Sequence, residues 1–375
     1  MTRTETKARV ARFVDRRFHT LVLQPTTFCP WACSYCYLPT KDQQRQMPVP
    51  VARAAAASIR AQASPAPVDV VWHGGEPLAL SRDRFAALLE PFEPLYRDRA
   101  VRHEVQTGAG QVTDAWCGLL AEHGFTVGVS IDGPAWANAN RRDRAGRETF
   151  EKAIRGIGLL REPGIEFTAI AVITPETIDR AEQIMEFFEG LGARGVGFNL
   201  EEQEGANTAR PGIDQDSARR FWTALLRRRA AGSMLPVRDI DRLLAHLGRT
   251  RTGAETAGLY EPIPTVAWDG QTVLLSPELA GITAPQYGDF TVGNVLTETL
   301  GSMLARAHRV RYVQEFTEGL ERCAAMCEFY AFCQGAQAGN RYFEHGTFAV
   351  TETAYCQTTR QALVQALHEL TKEEE

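Results

Sequence analysis

Between His19 and Ala231 the chain alternates six short β-branched runs with six longer amphipathic stretches. That order excludes an all-helical bundle and an all-β sandwich alike. The candidate strands are TLVLQPT, VDVVWH, HEVQTG, TVGVSID, FTAIAVI and GVGFNL. The candidate helices are VARAAAASIRAQA, RDRFAALLEPFEPLYRD, VTDAWCGLLAEHG, RETFEKAIRGIGLLRE, TIDRAEQIMEFFEGLG and SARRFWTALLRRRAAG. Strands joined through helices run parallel, so six such units predict an α/β fold, with a helix-covered sheet either open or curled into part of a barrel. Chemistry in such folds gathers at the carboxyl ends of the strands.

After about Leu235 the pattern changes. Short extended pieces surround TVAWDGQTVLLS, a helix is predicted at TLGSMLARAH, and a cysteine-bearing segment leads to the helix RQALVQALHEL. Gly and Pro punctuate this part heavily. The expected division is therefore residues 15–234 and 235–375, the second a smaller domain held together partly by metal. The 375 residues suffice for both, and 44% hydrophobic with 23% charged residues is an ordinary globular balance. A net charge of −5 gives no basic footprint, so no nucleic-acid partner is expected, and LLRRRAAG reads as a solvated helix face. No apolar run approaches the ~20 residues of a membrane span. The N-terminus is charged and lacks an apolar signal core, which predicts a cytoplasmic protein with no membrane partner.

Three of the eight cysteines, Cys29, Cys33 and Cys36, fall within TTFCPWACSYCYLP, directly after the first strand. In a reducing compartment such a cluster reads as metal ligands or catalysts. A disulfide uses two thiols; a closed zinc site wants four ligands, or three with a histidine, and this stretch has no histidine. Thiolates select zinc or iron–sulfur clusters, and three thiolates on a 4Fe–4S cube leave one iron open. Three buried apolar thiols are the bland alternative. A second set, Cys323, Cys327, Cys333 and Cys356, offers four thiolates for a zinc ion or a 4Fe–4S cluster. Cys117 sits in an amphipathic pattern and reads as a core thiol.

CPWACSYC resembles the signature of radical S-adenosylmethionine (SAM) enzymes, with Tyr35 in the aromatic position before the third cysteine. The resemblance implies a partial (β/α)6 TIM barrel and a 4Fe–4S cluster on Cys29, Cys33 and Cys36, whose free iron binds SAM. Cleavage of SAM then gives a 5′-deoxyadenosyl radical that takes a hydrogen from substrate, with a reductant such as flavodoxin or ferredoxin supplying the electron. HGGEP resembles the motif that holds the SAM amino group, which implies roles for Gly74, Gly75, Glu76 and Pro77; a plain strand–turn–helix connection is the alternative. Gln106, in QTG, stands where relatives carry asparagine. Ser130 and Asp132 of SIDGP are implied near the SAM ribose or methionine. Arg141 of NRRDRAG is implied on the SAM carboxylate, with a solvated surface arginine as the alternative. GFNLEE brings Asn199, Glu201 and Glu202 towards the barrel mouth.

The second cysteine set resembles the SPASM extension of radical SAM peptide-modifying enzymes, which usually carries seven cysteines and two auxiliary clusters. Its first spacing here is CxxxC rather than CxxC, and Leu275, Ser276 and Gln337 occupy positions where further cysteines would fall. One auxiliary 4Fe–4S cluster is therefore expected. GFNLEEQEG, LLSPELAG and GDFTVGNV resemble the maturases of ribosomally made precursor peptides, including cyclophane-forming and glycine-rich-repeat peptide maturases, and the likeness runs from His19 to Leu370. The implied reaction joins an aromatic ring carbon to a nearby Cβ; cyclopropanation, epimerisation and sulfatase-type Cys/Ser oxidation are the alternatives. LLSPEL offers no clear equivalent of the aspartate that sulfatase-maturing relatives use as a base. A carboxylate base is expected among Glu202, Glu278 and Asp289. A binding module with purely structural clusters conflicts with the open coordination position of CxxxCxxC, since structural sites are closed.

Overall fold

The computed structural model describes residues 2–253 and 258–373. Six parallel strands form its frame: β1 (Thr20–Leu23), β2 (Val68–Trp72), β3 (Val101–Thr107), β4 (Thr126–Ser130), β5 (Phe167–Ile173) and β6 (Val196–Leu200). Each pairs in parallel with the next. The spatial order is the chain order, with β6 at one edge and no β6–β1 closure, so the fold is a partial (β/α)6 barrel. Along β3 and β5 one set of side chains is fully buried, while the alternate set, Gln106, Ile170 and Val172 among them, borders a cavity on the inner face. The strands therefore alternate, where the strands of a filled parallel sheet read as continuous apolar runs.

Helices cover the other face. Val49–Gln62 turns Val51, Ala52, Ala55, Ala56 and Ile59 inward, small side chains that let it lie close to the sheet. The long helix expected over RDRFAALLEPFEPLYRD is instead Arg82–Leu89, a tight turn Glu90–Phe92, and Glu93–Arg97. Pro91 and Pro94 each lack an N–H and crowd the preceding turn, which breaks the helix there. Gln215–Ala230 packs on the C-terminal helix Ala362–Glu373, and the buried Trp222 Nε1 donates to Thr358 O at 2.8 Å.

The second part of the chain extends the same sheet. β7 (Thr265–Val266) pairs in parallel with β1, and β8 (Gln271–Val273) and β9 (Gly293–Asn294) follow antiparallel. The helix at TLGSMLARAH forms over Leu300–Ala305. Arg238–Thr252 and Arg311–Met326 are further helices that the sequence reading did not mark. The last helix is entered through a π-helical turn, Cys356–Gln361. Among the described residues no helix is long and apolar enough to cross a membrane.

Candidate active site

The CxxxCxxC loop leaves β1 and is pinned from two sides. From the segment after β4, Arg142 O accepts from Ala32 N at 2.7 Å and Asn140 O accepts from Ser34 N at 3.1 Å. Arg144 Nε donates to Cys29 O at 2.9 Å, and Lys41 Nζ to Cys33 O at 3.2 Å. From the turn after β2, Glu76 N donates to Phe28 O at 2.8 Å. Gly75, at φ +69°, passes so close that a Cβ there would lie 2.5 Å from Thr26 O. Only glycine permits both that conformation and that approach. Cys29, Cys33 and Cys36 are partly buried, form no disulfide, and line a cavity of about 370 Å³ at the strands' carboxyl ends. Burial pushes the Cys29 thiol up to about 12, with Glu76 adding to the effect, and burial raises Cys33 too. A bound cation reverses that preference, because a coordinated thiol is deprotonated. Three free thiols on one cavity are a donor set that suits a cluster with one open iron.

Beside these thiols the charges are settled within the protein. The Tyr35 hydroxyl donates to Asp132 Oδ2 at 2.5 Å, and Arg141 Nη1 donates to the Tyr35 oxygen at 2.7 Å while lying 3.4 Å from Asp132 Oδ1. Asp132 Oδ1 also accepts from Val172 N at 3.0 Å. Arg141 rests over the Trp31 ring at 5.3 Å, and its buried Nε has no partner. Glu76 accepts from Thr107 Oγ1 at 2.7 Å, Leu78 N at 3.1 Å and Gly108 N at 2.8 Å, tying the turn after β2 to the end of β3. Gln106 Nε2 donates to Ser130 Oγ at 2.7 Å. Of the residues the resemblance assigned to SAM, Tyr35, Gly75, Glu76, Gln106, Ser130, Arg141 and Asn199 line the cavity. Gly74, Pro77 and Asp132 stand behind it. Glu76 and Asn199 are already engaged, Asn199 by Arg238 Nη2 at 2.9 Å.

Another wall carries carboxyl groups. Glu202 and Glu278 line the cavity together with Glu204, which the sequence reading did not single out. Asn340 Nδ2 donates to Glu202, Ser276 Oγ donates to Glu278, and Glu204 Oε1 is enclosed without a partner. Burial pushes Glu202 up to about 8 against the Asn340 hydrogen bond, with Glu344 and Glu278 adding repulsion. Burial and the neighbouring Glu278 and Glu202 likewise raise Glu204, and burial raises Glu278. His73, Tyr37, Gln337 and Tyr355 complete this wall. His73 Nε2 lies 2.9 Å from the Tyr37 hydroxyl, and burial lowers the imidazole to about 4, leaving it neutral at pH 7. The readable signal for Glu204 was three glutamates within four positions after a strand's carboxyl end. Glu201 also borders the cavity but is held by Arg210, which reaches Glu176 at 2.9 Å as well. Asp289 is not brought to the cavity: it is exposed, and its Oδ1 accepts from Ala284 N at 2.7 Å within its own turn.

Cys323, Cys327, Cys333 and Cys356 line a second, small cavity, together with Arg341 and Arg360. Arg341 Nη2 lies 3.5 Å from Cys323 Sγ, and Gln361 Nε2 lies 3.4 Å from Cys356 Sγ. Among the described residues no three Cys, His, Asp or Glu side chains are gathered as the ligands of one metal ion. The four thiols line this space beside the buried Arg341 and Arg360, a donor set of soft ligands and positive charge. Cys117 is buried against Leu159 O at 3.3 Å, the core thiol expected.

Residues 23–188 match the model of the Radical SAM superfamily. The chain carries a Radical SAM domain. It belongs, over nearly its whole length, to one family with protein sll1766 of Synechocystis sp., at 31% identity across 93% of this chain and 92% of that protein. The serine-type anaerobic sulfatase-maturating enzyme of Klebsiella aerogenes is 32% identical over 50% of this chain and 48% of that enzyme, so that match spans about half of each. Among solved structures, anSMEcpe with bound AdoMet superposes with a TM-score of 0.75 at 19% identity, covering 94% of this chain and 98% of that one. Streptococcus suis SuiB bound to precursor peptide SuiA gives a TM-score of 0.65 at 14% identity, covering 94% and 78%. Both share this fold.

Proposed function

We propose that the chain is a radical SAM peptide maturase, which takes a side-chain hydrogen from a ribosomally made precursor peptide and joins an aromatic ring carbon to a nearby Cβ as a cyclophane. The observation that carries this reading is a single cavity with the CxxxCxxC thiols on one wall and carboxyl groups on another. When bound, SAM and two 4Fe–4S clusters, one of them auxiliary, supply the 5′-deoxyadenosyl radical and a one-electron acceptor. Cys29, Cys33 and Cys36 hold one cluster, and Cys323, Cys327, Cys333 and Cys356 hold the other. Residues 15–234 form the radical SAM core and 235–375 a SPASM-like domain.

The protein's own contribution is positioning and proton transfer. Tyr35, Gly75, Glu76, Gln106, Ser130, Arg141 and Asn199 border SAM, Glu76 at its amino group and Arg141 through its free Nε, while Gly74, Pro77 and Asp132 shape the wall behind. The cavity of about 370 Å³ is where SAM and the reacting side chain of the substrate would meet. Ring rearomatisation releases a proton, and Glu278 or Glu202 receives it. Burial favours the protonated form of both, so each must first be ionised, and once ionised its raised proton affinity makes it a stronger base than a solvated carboxylate. A reductant of the flavodoxin or ferredoxin type delivers the first electron.

Sulfatase-type oxidation of a Cys or Ser side chain is the second reading, supported by the 32% identity to the Klebsiella enzyme. Mass spectrometry of the precursor peptide encoded beside the gene, after anaerobic turnover, separates the readings. A loss of two mass units, with fragmentation blocked between an aromatic residue and a near neighbour, is expected. The same loss confined to one Ser, or a loss of about eighteen mass units at one Cys as its sulfur is exchanged for a carbonyl oxygen, means sulfatase-type oxidation, and a loss of two confined to one aliphatic residue means cyclopropanation. Unchanged mass with deuterium at a Cα means epimerisation. Any of those three outcomes overturns the cyclophane assignment.

A further inference from the structure

Glu202, Glu204 and Glu278 share a half-buried wall of the cavity that, among the described residues, no lysine or arginine lines; Arg360, whose charge reaches Glu202, is itself paired with Asp239 at 2.8 Å. Among the described residues Arg141 is the arginine that lines the cavity, and it is committed on a different wall to Asp132 and Tyr35. Buried carboxyl groups without a positive partner are costly, and an arrangement of three is retained only if something compensates it. Two further atoms point to what is missing. Glu204 Oε1 is closed off from solvent and accepts no hydrogen bond. Asn340, whose side chain is wholly buried, donates through Nδ2 to Glu202 while its Oδ1 also accepts nothing. Empty acceptors among carboxyl groups call for a ligand with several N–H donors and a positive charge.

Resting on the peptide-maturase reading, we infer that the peptide segment entering this cavity carries a lysine or arginine beside the reacting residue, and that Glu204, flanked by Glu202 and Glu278, is its counter-ion. A guanidinium or ammonium satisfies the empty acceptors and favours the ionised form of the neighbouring carboxyls. The basic residue of the substrate thereby readies Glu278 or Glu202 to accept a proton, and the base is armed only when the correct peptide is in place.

The test uses the reconstituted full chain with SAM held at saturation, so that SAM's own positive charge cannot produce the preference. A displayed random hexapeptide library is selected for binding. Enrichment of Lys or Arg at one position is expected. In a selected peptide, replacing that arginine by citrulline weakens binding about tenfold, the size of one charge-assisted hydrogen bond. The Glu204→Gln protein loses this discrimination, and Glu204→Asp, which keeps the charge, retains it. A library yielding no basic position or no bound peptide overturns the inference, as does an equal citrulline penalty in the wild type and Glu204→Gln. Formation of 5′-deoxyadenosine by the same wild-type preparation under reductant tests the radical reading separately. Its absence would sink the proposed function while leaving the charge preference measurable.

Discussion

On the wall beside the CxxxCxxC thiols, Arg141 has already found Asp132 and the Tyr35 hydroxyl. On the opposing wall, Glu202, Glu204 and Glu278 line the cavity and, among the described residues, no lysine or arginine lines it beside them. The first wall is complete as folded and serves as a fixed seat. Apart from Arg141 Nε, the donors and acceptors of Arg141, Asp132 and Tyr35 are paired before anything binds, which is what preorganised positioning requires. The second is incomplete: Glu204 Oε1 and Asn340 Oδ1 accept no hydrogen bond. The difference teaches that charge pairing, more than residue type, separates the part that holds a constant partner from the part that meets a variable one.

The largest test of the comparison removes the seat. Changing Cys29, Cys33 and Cys36 together to alanine should abolish 5′-deoxyadenosine formation and lower iron from about eight to about four per chain. Cys356→Ala, in the second cavity, should leave SAM cleavage measurable while product formation falls. Iron analysis and chromatography of the reaction mixture read both. Cleavage surviving the triple change would break the assignment of the first wall.

Opposite signs of stability sharpen the comparison next. Arg141→Ala strands the fully buried Asp132 without its cation, and breaking such a pair costs about 3–5 kcal/mol. Glu204→Ala removes one of three mutually repelling groups and should be neutral, or stabilising by about 1 kcal/mol. Urea titration of the two variants checks this. Equal destabilisation would mean that the two walls are settled alike.

The acidic wall should also register in pH dependence. Glu202 has its affinity for protons raised from the usual 4.5 to about 8. Between those values the unfolded chain has released the proton and the folded chain still holds it. Stability therefore falls as pH rises through this window, by at most a few kcal/mol, and is fully present below it. Glu202→Gln should flatten the profile measured by urea midpoint from pH 5 to 8.5. A wild-type profile that rises across that interval would show that Glu202 is not the group in control.

Much of this molecule was legible in its sequence, and the reasons are local. Period-2 runs such as FTAIAVI and VDVVWH each specify a strand, and β1 to β6 form at those segments. The CxxxCxxC spacing and its place after β1 need no long-range information. What was not legible depends on partners distant in the chain. The extended pieces expected around TVAWDGQTVLLS form as β7 and β8, but their joining the barrel sheet, where Val22 and Leu23 offer an edge to Thr265 and Val266, could not be read from the chain. The helix Arg238–Thr252 is dense in arginine and aspartate, and buries only Asp239, Ile240 and Leu243. Its apolar stripe is too narrow to stand out. Glu204 belongs to the cavity only because the turn Glu204–Asn207 folds against Tyr37, whose carbonyl accepts from Ala206 N at 2.8 Å. HGGEP was read for its glycines and glutamate, and His73 became visible once its ring was found against Tyr37.

The smallest expected effect concerns Asp289, which composition and position made a candidate base equal to Glu278. In the fold its carboxylate serves its own turn, accepting from Ala284 N at 2.7 Å, and its backbone sits at φ +51°. Asparagine tolerates that left-handed conformation and keeps an acceptor oxygen, so Asp289→Asn should change stability by less than about 0.5 kcal/mol and leave turnover unaltered. Asp289→Ala loses the acceptor and should cost about 1 kcal/mol, again with turnover unaltered. Glu278→Gln keeps the shape of a group that borders the cavity but removes its basicity, and should lower turnover about a hundredfold or more. Measuring product formation for Glu278→Gln and Asp289→Asn side by side sets a carboxylate inside the cavity against one outside it. If Asp289→Asn loses as much turnover as Glu278→Gln, proton transfer does not occur at the acidic wall, and the contrast between the two walls is one of shape alone.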